Sequence, residues 1–386
     1  MWLFGCGLRI RRATRLPQPA SRNLYAEHTI RSVQLPVNPP VLPMLSRRIA
    51  EIPAGKEWIF EPKWDGFRAL VFRDGDEILI QSRDEKSLNR YFPELLEPLR
   101  SQLPARCVLD GEVVVAGPAG LDFDALSQRI HPAEKRIRQL AEATPASFVA
   151  FDLLAHDDTS YLETPYAQRR AALEELLRRA HPPLYLTPVT TDPATAADWF
   201  ARFEGAGLDG VVAKPADLRY LPDKRAMFKV KHQRTADCVV AGYRTHKDGA
   251  GVGSLLLGLY DSSGTLHHVG VASGFSVARR RQLVGELEPV SAGALEGHPW
   301  AGWATAQAEG RAPGRTNRWN AGKDMTWEPV RPELVCEVSY DHLQAGRFRH
   351  ATSFVRWRPD REPASCTYAQ LDVPVPYELA KVFGTA

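Results

Sequence analysis

One lysine, Lys63, stands in the segment Glu61-Pro62-Lys63-Trp64-Asp65-Gly66-Phe67-Arg68, next to an aromatic residue and a turn-forming pair, with an arginine five residues on. A lysine amine attacks phosphorus only when neutral, and an ordinary pKa of ~10.4 keeps it protonated at neutral pH. Burial beside Trp64 and other cations is expected to lower that value. Asp65-Gly66 reads as a tight turn that presents Lys63 at the end of one strand before the next begins at Phe67. The layout suits covalent nucleotidyl transfer. Taken alone, a tetrapeptide such as Lys63-Trp64-Asp65-Gly66 is more often a surface hairpin with a solvated lysine.

Further chemistry-bearing residues follow downstream. Arg83 lies in Gln81-Ser82-Arg83-Asp84, and Glu112 in the apolar run Val108 to Val115, where an unpaired charge is costly and a partner is required. Asp209 and Lys214 flank the strand-like Val211-Val212-Ala213. Lys229 and Lys231 alternate, so on a strand they project to one face, and two ammonium groups there suit a triphosphate. Phe151, in Phe148-Val149-Ala150-Phe151-Asp152, reads by itself as a core aromatic.

In order and spacing these pieces resemble the ATP-dependent DNA ligases, specifically the short bacterial ligase-C type related to the ligase domain of ligase D. The resemblance runs from about Glu61 to Arg361 and ends in the basic segment Arg347 to Arg361. It implies that Lys63 takes AMP from ATP, that AMP passes to the 5′-phosphate of a nick, and that the adjacent 3′-hydroxyl displaces it. It also implies roles at the nucleotide for Glu61 (through its backbone, the side chain facing solvent), Arg68, Arg83, Glu112, Phe151 (stacking on adenine), Arg225, Lys229 and Lys231, with Lys231 joining Lys63 in catalysis. Asp110 becomes a turn or structural residue and Lys214 a pocket-shaping one. Glu112 and Asp209 become ligands for Mg²⁺ or Mn²⁺, which seek oxygen donors. Asp209 stands where many ligases carry glutamate, so coordination through water is expected there. In the family the final basic segment closes over the nucleotide and later turns away. The implied substrate is nicked double-stranded DNA, and the implied role is repair, beside possible repair polymerase or end-binding partners. Two alternatives remain open: an RNA ligase or capping-type nucleotidyltransferase, and an inactive nucleic-acid-binding module.

The elements that must position these residues form an α+β chain. Residues 67–73 and 77–81 read as strands across Asp74-Gly75, and Cys107 to Val115 as a buried strand. Leu173, Leu176 and Leu177 mark a helix near 166–180, and Asp192-Pro193 caps another that stops at Gly205. After about Arg234 the pattern changes to alternating strands with glycine-rich turns, as a small closed barrel requires. The expected organisation is a disordered basic arm at 1–40, a nucleotidyltransferase (adenylation) domain of mixed and antiparallel sheets with helices at 41–234, and an OB-fold barrel at 235–386, hinged near Arg234. The stretch 297–325 reads as a loop or insertion whose Trp300, Trp303 and Trp319 are packing groups rather than base-stacking platforms.

Composition sets outer bounds. A chain of 386 residues allows two or three domains, and its net charge of +3 neither demands nor excludes nucleic acid. No run approaches the ~20 apolar residues of a membrane span. Five cysteines without paired spacing argue for a reducing compartment and no zinc site, which disfavours NAD-dependent ligases. The expected setting is a monomer in the bacterial cytoplasm, associated with the nucleoid. The arginines before Glu27 give the start a superficial likeness to a transit peptide, though a basic arm fits the remainder better.

Overall fold

The computed structural model describes residues 34–249, 251–303, 326–341, 343–344, 346–371 and 375–383. Most of the expected basic arm, and Trp319 with the rest of 304–325, lie outside them. The arm's expected end at residue 40 is too late. Leu35 and Val37 are buried against Leu70 and Phe72, because two apolar side chains so close to the first sheet gain more from burial than the chain loses by being ordered.

The first half holds two sheets. In the larger, the strands run Glu77–Ser82, Phe67–Asp74, Arg106–Gly117, Ala146–His156 and Thr159–Ser160, each antiparallel to its neighbour. Leu184–Leu186 adds in parallel to Ala146–His156. Arg106–Gly117 and Ala146–His156 are covered on both faces, which is why they read as nearly continuous apolar runs. The smaller sheet orders Leu45–Arg48, Arg225–Val230, Val211–Pro215 and Trp58–Pro62, with only the first pair parallel. Helix Pro193–Arg202 begins as expected, with the Asp192 carboxylate accepting from the backbone N–H groups of Ala194 and Thr195.

In the second half, Arg234–Thr245, Val252–Tyr260 and Leu266–Ser273 form a meander, helix Val277–Ser291 follows, and Glu328–Tyr340 and Ser353–Trp357 complete the sheet. Closure comes from Thr352, which donates to Val271 O at 2.8 Å and accepts from Ser273 N at 3.1 Å. The resulting strand circuit, with a helix between the third and fourth strands, is an OB-fold. Trp300, Trp303 and Trp327 pack together on the barrel core, as packing groups should.

The chain does not end in the barrel half. Helix Leu379–Phe383 returns to the first half and packs against Trp64 and Phe203, so the expected assignment of everything from 235 to 386 to the barrel does not describe the packing.

Candidate active site

Strand register brings the two ends of the site together. Val211 pairs with Pro62, and the ladder continues one step further: Lys63 N donates to Gly210 O at 2.8 Å and Asp209 N to Lys63 O at 2.9 Å. This sets the Lys63 and Asp209 side chains side by side. Gly210 is required there, since its φ is +126° and a Cβ would lie 2.1 Å from Val230 O. Gly66 serves close approach rather than the expected tight turn. Its φ is ordinary, but a Cβ would lie 2.2 Å from Val113 O and 2.9 Å from Glu112 Cγ. The lysine loop thereby lies directly on the strand that carries Glu112.

A cavity of about 200 Å³ between the two sheets is lined by Glu61, Lys63, Arg68, Glu112, Phe151, Lys214 and Lys229, with the exposed Arg83 and Arg225 also on its wall. Eight of the sequence-derived site residues therefore meet in one place. The other two, Asp209 and Lys231, join through ion pairs: Asp209 Oδ2 takes both Lys63 Nζ at 2.6 Å and Lys231 Nζ at 2.8 Å. Lys231 lies just past the end of Arg225–Val230, so it is not on a strand with Lys229 as expected.

The walls carry their own supports. Arg68 forks onto the buried Asp110 at 2.5 and 2.6 Å, which Tyr220 also reaches at 2.6 Å, and its guanidinium lies 4.3 Å from the centre of the Phe151 ring. Asp110 is thus structural but sits mid-strand, not in a turn. Glu61 departs from expectation. Its side chain is only 3% exposed, pairs with Lys214 Nζ at 2.9 Å and accepts from the Tyr166 hydroxyl, because a glutamate on a strand covered on both sides must find a cation.

The electrostatics correct a second expectation. Burial by itself depresses the Lys63 amine, but Asp209, by charge and hydrogen bond and with Glu112 and Asp65 behind it, outweighs that and raises the pKa above its ordinary value. Trp64 also lines the cavity, but the burial it helps provide does not prevail over the carboxylates. Its indole is buried in another cluster and donates to Thr187 Oγ1 at 2.8 Å. Burial likewise pushes the Asp209 carboxyl up, yet Lys63 and Lys231 prevail and hold it below the usual range. Glu112 goes the other way: burial lifts it to about 7, against the pull of Arg68 and Lys63. Lys229 is lowered, by burial and then by Lys63 and Lys231.

Within the basic closing segment, Arg349 alone has a recorded contact with the lysine loop. It pairs with Asp65 and lies 3.5 Å from the centre of the Phe123 ring. Arg356 and Arg358 are tied inside the barrel, to Glu337 and to Asp237 with Asp360. Asp341, not singled out from sequence, reaches Lys231 at 3.4 Å. No local pattern could have shown the pairings of Asp65 with Arg349, Asp341 with Lys231 or Tyr166 with Glu61, since each joins residues more than a hundred positions apart. The arrangement places one amine among cations able to hold a polyphosphate and two carboxylates able to hold a hard cation or hydroxyl groups.

A nucleotidyltransferase unit joined to an OB-fold barrel is the class this fold and cavity define. Residues 43–231 match the family model described as ATP dependent DNA ligase domain, and residues 248–361 that described as ATP dependent DNA ligase C terminal region. Over 357 residues the chain is 54% identical to DNA ligase C of Mycobacterium tuberculosis, covering 91% of this chain and 99% of that protein. It is 57% identical over 346 residues to DNA ligase C2 of Mycolicibacterium smegmatis, at 89% and 97% coverage. A solved structure from a study of Lig E DNA ligases is 17% identical and covers 82% of this chain and 99% of its own at a TM-score of 0.52, which shows a shared fold. The chain belongs to the ATP-dependent DNA ligases, with the ligase-C type among its relatives. That membership sets aside the capping-type and catalytically silent alternatives.

Proposed function

We propose that this chain seals nicks in double-stranded DNA through an adenylate carried on Lys63. The observation that carries the reading is the position of the Lys63 amine on the wall of a cavity shared with Arg68, Glu112, Phe151 and Lys229, and paired to Asp209. A bond forms between Lys63 Nζ and the α-phosphorus of ATP as the bond to pyrophosphate breaks. The amine must lose its proton to water first, and Asp209 Oδ2, 2.6 Å away, accepts its hydrogen bond and orients it while remaining ionised. AMP then passes to the 5′-phosphate, and the 3′-hydroxyl displaces it.

Lys229 and Lys231 neutralise the triphosphate, and Lys231 also keeps Asp209 compensated while Lys63 is neutral. Phe151 offers its ring to adenine, with the Glu61 backbone at the base edge. Arg68, Arg83 and Arg225 meet the ribose and phosphates. Glu112 holds ribose hydroxyls and, with Asp209, a divalent cation. The fit to Mg²⁺ or Mn²⁺ rests on Glu112, whose carboxylate has no hydrogen bond or ion pair within 4 Å among the described residues. No group of three metal-ligating side chains occurs among those residues, so phosphate and water oxygens would complete the shell. When bound, the cation supplies neutralisation of phosphate charge.

DNA is held by its backbone, so affinity should fall steeply with salt. A monomer working in the bacterial cytoplasm at the nucleoid, in repair and beside polymerase or end-binding partners, is the setting we propose. No helix among the described residues is long and apolar enough to cross a membrane. Intact mass after incubation with ATP and Mg²⁺ tests the reading. A gain of one AMP is expected, and an unchanged mass would remove it.

A further inference from the structure

Residues 375–383 lie beyond residue 361, where the family match ends, yet they dock on the adenylation half. Tyr377 donates its backbone N–H to Gly205 O at 3.1 Å, and its ring lies 5.4 Å from that of Phe203. Helix Leu379–Phe383 then buries Val382 and presses Phe383 onto two rings, Tyr185 at 3.9 Å and Trp64 at 5.0 Å, both nearly coplanar with it. Trp64 is the residue next to Lys63, held also by its bond to Thr187 and by the apolar cluster around Val114, Val149 and Leu208. The barrel's own core reaches Leu371. Leu371 and Tyr377 are six chain steps apart, so these two anchors stand no more than about 22 Å apart. The halves are therefore joined twice, once through 231–234 and once through this segment.

We propose that residues 375–383 form a strap in which Phe383 positions Trp64, and through it the Lys63 loop, for attack on ATP. The same strap holds the barrel where Arg349 meets Asp65 and Asp341 meets Lys231. Phe383 is a positioning residue. It touches no reacting atom, and it acts on the one step in which Lys63 is the nucleophile. Closure of a nick that already carries AMP does not use that amine, so the two reactions respond differently. The proposal rests on Lys63 being the adenylated residue.

Two variants of the full chain disturb the strap in unrelated ways. Phe383→Ala removes the stacked ring. Gly205→Ala leaves the strap's own residues unaltered but puts a Cβ 1.8 Å from Val375 O, where the strap must lift. Each is assayed for protein labelling by radiolabelled ATP and for sealing of a pre-adenylated nicked duplex. In both, the maximal labelling rate should fall about tenfold or more with KM for ATP within about twofold, as a misoriented nucleophile requires, while pre-adenylated sealing stays within about twofold. Phe383→Tyr should restore labelling. Unchanged labelling in both variants, or an equal fall in both reactions, would overturn the strap. If the unaltered chain takes no label, it is the assignment of Lys63 that fails.

Discussion

Two lysine–carboxylate pairs bridge neighbouring positions of the same two chain segments, and they are built for opposite ends. Glu61 and Lys214 lie 2.9 Å apart at 3% and 2% exposure, with Tyr166 donating to the same glutamate and the Lys214 ammonium 4.4 Å from the Tyr166 ring centre. Lys63 and Asp209 are at 2.6 Å but 21% and 12% exposed, and Lys231 shares the very oxygen that Lys63 uses. Among the described residues Glu61 has no second cation, only the Tyr166 hydroxyl, so removing Lys214 strands a buried charge. In the second, Asp209 stays compensated by Lys231 when Lys63 gives up its proton. Depth and redundancy of partners, rather than the presence of an ion pair, separate scaffold from chemistry in this cavity.

The largest effects should fall on opposite sides of that division. Lys63→Ala should abolish labelling of the protein by ATP while leaving the thermal midpoint nearly unchanged; retained label would put the nucleophile elsewhere. Lys214→Met should cost about 3–5 kcal/mol of stability because Glu61 is left buried and unpaired. Urea unfolding measures this, and the double variant with Glu61→Gln should recover much of the loss. A cost no greater than that of Lys63→Ala would erase the distinction between the pairs.

The same contrast shows what sequence could reveal. The strands around Asp74-Gly75, the buried Arg106–Gly117 strand, the Asp192 cap and all eight cavity-lining site residues were legible, because periodicity, turn chemistry and ordered motifs are local signals. The partner of each charge was not. Glu61 reads as a solvent-facing strand residue until Lys214, 153 positions on, is known to sit across from it, and Asp65 reads as a turn residue until Arg349 arrives from 284 positions away. For the same reason the Lys63 amine was expected to be depressed, whereas a carboxylate from a distant strand raises it. Leu35, Val37 and Phe383 were missed because single apolar residues in short irregular segments carry no period.

Asp209→Asn probes the open pair from its acidic side. Without the carboxylate, burial faces only the weaker opposition of Glu112 and Asp65, so the Lys63 amine should titrate at lower pH and the alkaline rise in labelling should begin earlier. If Asp209 is also a cation ligand, the half-saturating Mg²⁺ concentration should increase about tenfold or more in the same variant. An unmoved pH profile would break the link to Lys63, and an unmoved metal titration would take Asp209 out of the ligand set.

Glu112 gives the smallest effect and the sharpest test of how an unpaired carboxylate behaves beside two paired ones. Burial lifts it from 4.5 to about 7, with Asp65 and Asp110 adding to the rise and Arg68 and Lys63 opposing it. Between those values the folded chain keeps a proton that the unfolded chain has released, so stability contributed at this position falls as pH rises through that window and is flat below it. Glu112→Gln cannot ionise and should lack that descending limb. Relative to the unaltered chain, its thermal midpoint should therefore gain as pH goes from about 5 to about 8, as melts across that range would show. A pH-independent difference would mean that Glu112 is ionised throughout and has found a cation. Repeating the melts with saturating Mg²⁺ and a non-hydrolysable ATP analogue sharpens the point. A ligand that draws on the ionised carboxylate should pull its pKa down and shrink the window, whereas a window left intact would confine Glu112 to the ribose hydroxyls.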